Sequence, residues 1–293
     1  MGGLLASTLV YGLVSSATLL LTALGFSLTF GLSGVANFAH GGLYLLSGFT
    51  AWLLMTHLHL PFLAAAAATV VLVGLVGALV YRVVVMPVRG IHLAEVISTF
   101  AVGVAIIELF RWLGFTTYDY VLPVLVEDGI DVLGVTVDWQ RLIIVAVALV
   151  LTLALWAFTH WTKIGLALRG MSQDEYTALS VGIESDWAAM LSLALGAGLS
   201  AVAAMVLFPL GIISINSGYD ALLVALAVTV LGGLESTAGM IIGSLVLGFA
   251  VTLTGNYVGP RWGEVVYLGA IVVVLAVRPS GLLGKSKELE ERV

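Results

Sequence analysis

Long apolar runs dominate this chain, and polar breaks punctuate them at regular intervals. The runs stand at 4–32, 37–58, 61–85, 94–113, 139–161, 187–210, 219–234, 236–257 and 263–279. A helix crosses a hydrocarbon core with roughly 17–25 apolar residues, and most of the runs have that length. An outer-membrane barrel would instead alternate apolar and polar positions in segments of about 10. The pattern therefore predicts an all-α, polytopic integral membrane helix bundle with about 8–10 spans, broken or re-entrant segments among them. Two runs stand apart. Residues 219–234 are short, and 37–58 begin inside a glycine-rich break, so each is a candidate half-helix.

That break reads "SGVANFAHGG", residues 33–42. Asn37 and His40 bring hydrogen-bonding groups into apolar surroundings, and Gly41 and Gly42 loosen the backbone. Two expectations follow. Asn37 and His40 cap and fix a broken helix, or they line a solute path. A second polar break carries Asn216, Ser217 and Tyr219.

Two connections are long. Residues 114–138 carry Asp119, Glu127, Asp128, Asp131 and Asp138 and no base. The alternation in "DVLGVTVDW" around Gly134 predicts a small hairpin. This acidic loop either docks another protein or is a plain solvated connection. Residues 162–186 hold a predicted short helix: Ser172 as N-cap, and Glu175 three residues on in capping-box spacing. Ala178, Leu179 and Ile183 are expected on one face, and Gly182 ends the helix. Such a helix needs a membrane surface or a partner protein to lie against.

Basic residues set the expected orientation. With the C-terminus cytoplasmic, that side holds Arg82, Arg89, Lys163, Arg169, Arg278, Lys285, Lys287 and Arg292, eight of the 11 bases. Arg111, Arg141 and Arg261 fall opposite. Loop 162–186 and tail 280–293 are then cytoplasmic and loop 114–138 is outside, on one transmembrane domain spanning 1–293.

Composition agrees. Of 293 residues, 61% are hydrophobic and 10% charged, where a soluble domain carries about 25% charged residues. The absence of cysteine excludes disulfides and thiolate metal sites. A net charge of −6 argues against a nucleic-acid partner. The first base is Arg82, so the first run lacks the basic flank of a cleaved signal peptide and is expected to stay as a helix.

No catalytic constellation is visible: HExxH, GxSxG and paired carboxylates are absent. His57 and His59, two apart, do not share a helix face and read as interfacial. "GKS" near the end lacks the glycine and the preceding strand of a phosphate-binding loop, so no ATPase site is expected in this chain. Glu108 and Arg111 are spaced to neutralise each other, and Glu95, near a span end, is expected to reach water. A charge at the bilayer centre costs about 2.5–3.5 kcal/mol on insertion scales. Gly239 and Gly243 form GxxxG, and Gly196, Gly198, Ser200, Ala203 and Ala204 form a second small-residue face, both suited to close packing. Gly232 and Gly233 with Glu235 and Ser236 predict a turn.

Four stretches together resemble one family: 12–51, "TKIGLALRGMSQDEYTALSVGIESDWAAMLSLALGAGLSAVAAMVL" at 162–207, "VLGGLESTAGMIIGSLVLGFA" at 230–250, and "RPSGLLG" at 278–284. They resemble permease subunits of branched-chain amino acid ABC importers, the H type more than the M type of the two paired permeases. The resemblance implies an inner-membrane assembly: a second, M-type permease subunit, two ATPase subunits that hydrolyse the ATP, and an extracytoplasmic substrate-binding protein. No cofactor is expected on this chain itself. It further implies an ATPase-docking role for 169–184, with Arg169, Asp174, Glu175, Ala178 and Gly182, although Tyr176 and Thr177 replace the usual alanines. Asn37, His40, Gly41 and Gly42, with Asn216, Ser217 and Tyr219, are the candidate path residues. The alternatives are a self-sufficient secondary carrier or channel and, third, an intramembrane enzyme.

Overall fold

Lipid offers no hydrogen bonds, so a chain crossing it must pair its own backbone groups, and helices do so within one segment. The computed structural model describes residues 2–116, 119–233 and 236–284, without side chains at 2–4, 175 and 176. Nine apolar helices fill the nine runs. They are α1 (Gly2–Ser33), α2 (His40–Leu58), α3 (Phe62–Val80), α4 (His92–Trp112), α5 (Trp139–Trp161), α8 (Ser185–Leu207), α9 (Ser217–Gly232), α10 (Thr237–Tyr257) and α11 (Gly263–Val277). Between α5 and α8 lie two short helices, α6 (Lys163–Gln173) and α7 (Glu175–Ser180). Among the described residues, seven segments are long and apolar enough to cross a membrane, α11 with the help of the turn before it. The two exceptions, α2 and α9, are the runs the sequence marks as half-helices.

The loop after α4 folds as predicted: β1 (Gly129–Val132) pairs antiparallel with β2 (Val135–Asp138), Gly129 opposite Asp138. Leu133 and Gly134 form its two-residue turn with φ of 55° and 78°. Positive φ at both positions gives the twist that a tight hairpin needs. The hairpin marks one end of the bundle, and α6 and α7 mark the other.

α1 is the axis. Its contacts with α8 and α10 are made where a side chain would not fit. A Cβ on Gly25 would strike the Gly196 carbonyl on α8, and one on Gly248 of α10 would strike Ser16. Gly77 of α3 meets Ala197 and Leu193 of α8. The small-residue face on α8 therefore splits between two neighbours: Gly196 serves α1, and Gly198 lies near Val70 of α3. Without a hydrophobic drive between helices in lipid, backbone approach of this kind holds the bundle.

The end of α9 shows the same economy. Gly232 abuts the backbone of Gly239, so the GxxxG of α10 receives α9. The last carbonyls of α9, on Leu231 and Gly232, accept from the amides of Leu282 and Leu283 at 2.8 and 3.0 Å. "RPSGLLG" is thus a helix cap supplied from a distance. Gly233 and Gly281, with φ of 106° and 79°, make the crossing, and a Cβ on either would enter the other strand of the cap. Ser236 accepts from Gly239 N and starts α10. Glu235, Lys285, Lys287 and Arg292 lie outside the described residues, as does the tail beyond 284.

Gly232→Ala should lower stability by roughly 1–3 kcal/mol through overpacking. The measurement is the thermal midpoint in detergent. Gly255→Ala, where nothing approaches, is the control and should leave it unchanged or higher. Equal midpoints for the two variants would contradict the contact.

Candidate functional site

Two helix breaks meet inside the bundle. After Ser33, Gly34 with φ 68° reverses the chain, and 34–39 run back alongside α1. His40 then stands level with Thr22, about 16 Å up α1 from Ser33. Its Nε2–H donates to the Thr22 carbonyl at 2.8 Å, and its ring meets Phe26 edge-on at 5.9 Å. Asn37 Oδ1 accepts from Ala39 N at 3.1 Å. Thr99 of α4 bonds the returning backbone at both Ala36 O and Phe38 N, each at 3.2 Å. Asn37 and His40 are both buried, with all of these bonds turned inward.

The second break starts α9. Ile213 N donates to Tyr120 O at 2.8 Å near the hairpin end, and Ser217 Oγ lies 3.1 Å from Ser214 Oγ. One residue later Gly218 faces Gly41, backbone to backbone, and Gly42 faces Gly103 of α4. Four glycines therefore join the amino ends of α2 and α9 to α4. The space left there is about 10 Å³, at most one water. The junction is closed in this conformation. Of the sequence-predicted path residues, Asn37, His40, Gly41 and Gly42 are inside it, Ser217 is half-buried, and Asn216 and Tyr219 are exposed on its outer side.

At the opposite level, 162–186 departs from expectation. One helix was expected, and two form. Thr162 accepts from Gly165 N and caps α6, whereas Ser172 lies inside α6 with its hydroxyl on Arg169 O. Leu168 and Met171 pack on Leu28 and Leu32 of α1, which carries α6 past Ser172. The break falls at Asp174, whose Oδ1 accepts from Thr177 N at 3.2 Å. Glu175 begins α7, its side chain outside the described set. Gly182, φ 83°, ends α7 as expected: Gly182 N bonds Leu179 O and Ile183 N bonds Ala178 O, a Schellman closure. The expected single face is divided. Ala178, 4% exposed, and Ile183 pack inward with Ala188 of α8, while Leu179 and Val181 are 47% and 73% exposed.

A polar cluster nearby was not legible in the sequence. Past α3 the backbone makes a π turn, Tyr81–Val85, and then a 3-10 turn through Pro87. Arg89 Nη1 donates to Asp186 Oδ1 at 2.6 Å and to Tyr81 Oη at 2.7 Å, and Tyr81 Oη–H donates to Asp186 Oδ1 at 2.7 Å. Positions 97 and 105 apart leave no local signal. The cluster borders a cavity of about 640 Å³ with Glu95 and Ser172 on its wall. Glu95 does not simply reach water: it is 6% exposed and accepts from Gly90 N at 2.8 Å, holding the turn before α4. Glu108 and Arg111 pair at 2.9 Å as their spacing predicts.

The fold and these sites define a polytopic helical membrane protein with two discontinuous helices whose amino ends touch. Comparison with known proteins gives the family. Residues 8–275 match the family described as branched-chain amino acid transport system / permease component, and the chain belongs to it. Among similar proteins is the high-affinity branched-chain amino acid transport system permease protein BraD of Pseudomonas aeruginosa, 30% identical, covering 94% of this chain and 95% of that one. The permease protein LivH of Escherichia coli is 30% identical over 94% of both chains. A probable LivH of Methanocaldococcus jannaschii is 24% identical over 93% and 90%.

His40→Ala and Asn37→Ala should each cost about 1–3 kcal/mol of stability by removing a buried bond. Asn216→Ala, exposed and without a side-chain bond among the described residues, should cost nothing measurable. Detergent unfolding of the three variants tests this. A stable His40→Ala protein would place that ring outside the structural framework.

Proposed function

We propose that this chain is a membrane-spanning permease subunit of a binding-protein-dependent ABC importer for branched-chain or related amino acids. The observation that carries the reading is the family match, which runs through both breaks and α6–α7 as one unit. The partners are a second permease subunit, two ATPase subunits that hydrolyse the ATP, and an extracytoplasmic binding protein. The membrane is the inner one, with α6–α7 and the chain beyond α11 on the cytoplasmic side.

The geometry supports a mechanical role. Leu179 and Val181 offer apolar side chains at the exposed end of the bundle, the kind of face a groove on a partner accepts. Ala178 and Ile183, on the reverse side, seat the same turn on α1 and α8. A push on α7 therefore moves α1 and α8 together. α1 carries the bond to His40, and α8 touches α1 at Gly25. Movement of that pair parts the glycine junction, a rigid-body class of change. Parting it bares the first amides of α2 and α9, whose positive ends suit the carboxylate of a zwitterionic amino acid. The path follows the outer side of the junction, past Asn216 and Tyr219, against the second permease subunit.

A self-sufficient carrier is the second reading, and partner dependence separates the two. Expressed beside candidate ATPases, the chain should co-purify with them and import amino acid only with the binding protein present. Transport by the chain alone in vesicles would sink the importer reading. Leu179→Asp with Val181→Asp should reduce ATPase retention at least about tenfold, ~1.4 kcal/mol, with an unchanged unfolding midpoint. Gly182→Ala strains a left-handed turn by roughly 1–2 kcal/mol and should lower uptake while the ATPases stay bound.

A further inference from the structure

A second cleft, of about 480 Å³, opens between α1, α5, α6 and α10 at the α6–α7 end. Its polar wall includes Arg169, His160, Thr159 and Gln173, and its apolar wall Leu28, Leu155 and Met240. Among the described residues, no Asp or Glu lines it. Arg169 is half-buried, and no ion pair or hydrogen bond engages its guanidinium among the described side chains. His160 Nδ1–H donates to Trp156 O at 2.8 Å, which leaves Nε2 open. A half-buried guanidinium with no counter-charge among the described side chains suits an anion, and its planar fork fits phosphate with two parallel bonds.

The surroundings point to where that anion comes from. On α5 the cleft continues into an exposed apolar strip of Leu149, Leu153 and Trp156. Trp156 stacks on His160 with centroids 4.8 Å apart and meets Trp161 at 5.3 Å. Tryptophans gather at the membrane–water interface, and basic pockets between helices at that depth hold anionic head groups. We propose that this cleft binds the phosphate of an anionic membrane phospholipid. Arg169 and His160 take the head group, and an acyl chain lies along α5. A free amino acid is a poorer fit, since no described side chain of the wall offers a carboxylate to its ammonium. The site ties α6 to α5 and α1 through lipid and does not depend on the transported solute.

The test uses the full chain, purified in detergent from membranes containing phosphatidylglycerol and phosphatidylethanolamine and washed repeatedly. Native mass spectrometry reads the lipid kept. Wild type should retain phosphatidylglycerol, Arg169→Gln should lose it at least about tenfold, and Arg169→Lys should lie between. Should Arg169→Gln not fold, wild type decides: brominated phosphatidylglycerol should quench tryptophan emission more than brominated phosphatidylcholine, with Trp156→Phe abolishing the difference. Equal retention by wild type and Arg169→Gln overturns the site. So does equal quenching by the two lipids. Displacement of the lipid by millimolar inorganic phosphate would assign the cleft to a soluble anion and overturn the lipid source.

Discussion

Every backbone amide and carbonyl left outside a helix at membrane depth must find a partner inside this protein, and the two broken helices concentrate that demand. Residues 34–39 meet it with one threonine, Thr99, one Asx turn at Asn37, and one histidine bond to α1. The amino ends of α2 and α9 approach so closely that only glycine fits between them, which shields their backbone from lipid. Remove the close approach and the polar ends would face lipid at several kcal/mol per group. The rest of the bundle is arranged around this requirement: α1 as axis, α8 pressed on it at Gly196, and α4 lending Gly103.

The same constraint separates polar groups spent on the fold from those left exposed. Asn37 and His40 look functional by residue type, yet both are spent on backbone groups within the chain. The exposed groups beside them, Asn216 and Tyr219, make no such commitment. At the far end the division repeats: Ala178 packs inward, and its neighbour Leu179 is exposed. A residue's chemistry alone does not say which side of that division it falls on. The direction of its side chain does.

Run length made the nine helices legible, because a hydrocarbon solvent sets one length for all of them. Residue type made the two breaks and the hairpin turn legible. Pairings between distant positions were not. Nothing near Arg89 announces Asp186, and nothing near Leu231 announces Leu282. The helix cap in the α6–α7 loop shows a subtler failure. Ser172 and Asp174 are both good caps, and the choice fell to Leu168 and Met171, whose packing on α1 extended α6 by one more step. Glu95 failed for a similar reason, since the turn at Gly90 folds over it.

The distant cap on α9 bears on how the chain is made. Leu231 and Leu282 are 51 positions apart, so α9 is synthesised well before the amides that close its last turn. Chains emerge from the ribosome amino end first. α9, 16 residues long and polar at its start, must therefore wait, incompletely paired, while α10 and α11 are added. The last turn of α9 is therefore closed only when residues 278–284 arrive and lock a helix begun three segments earlier.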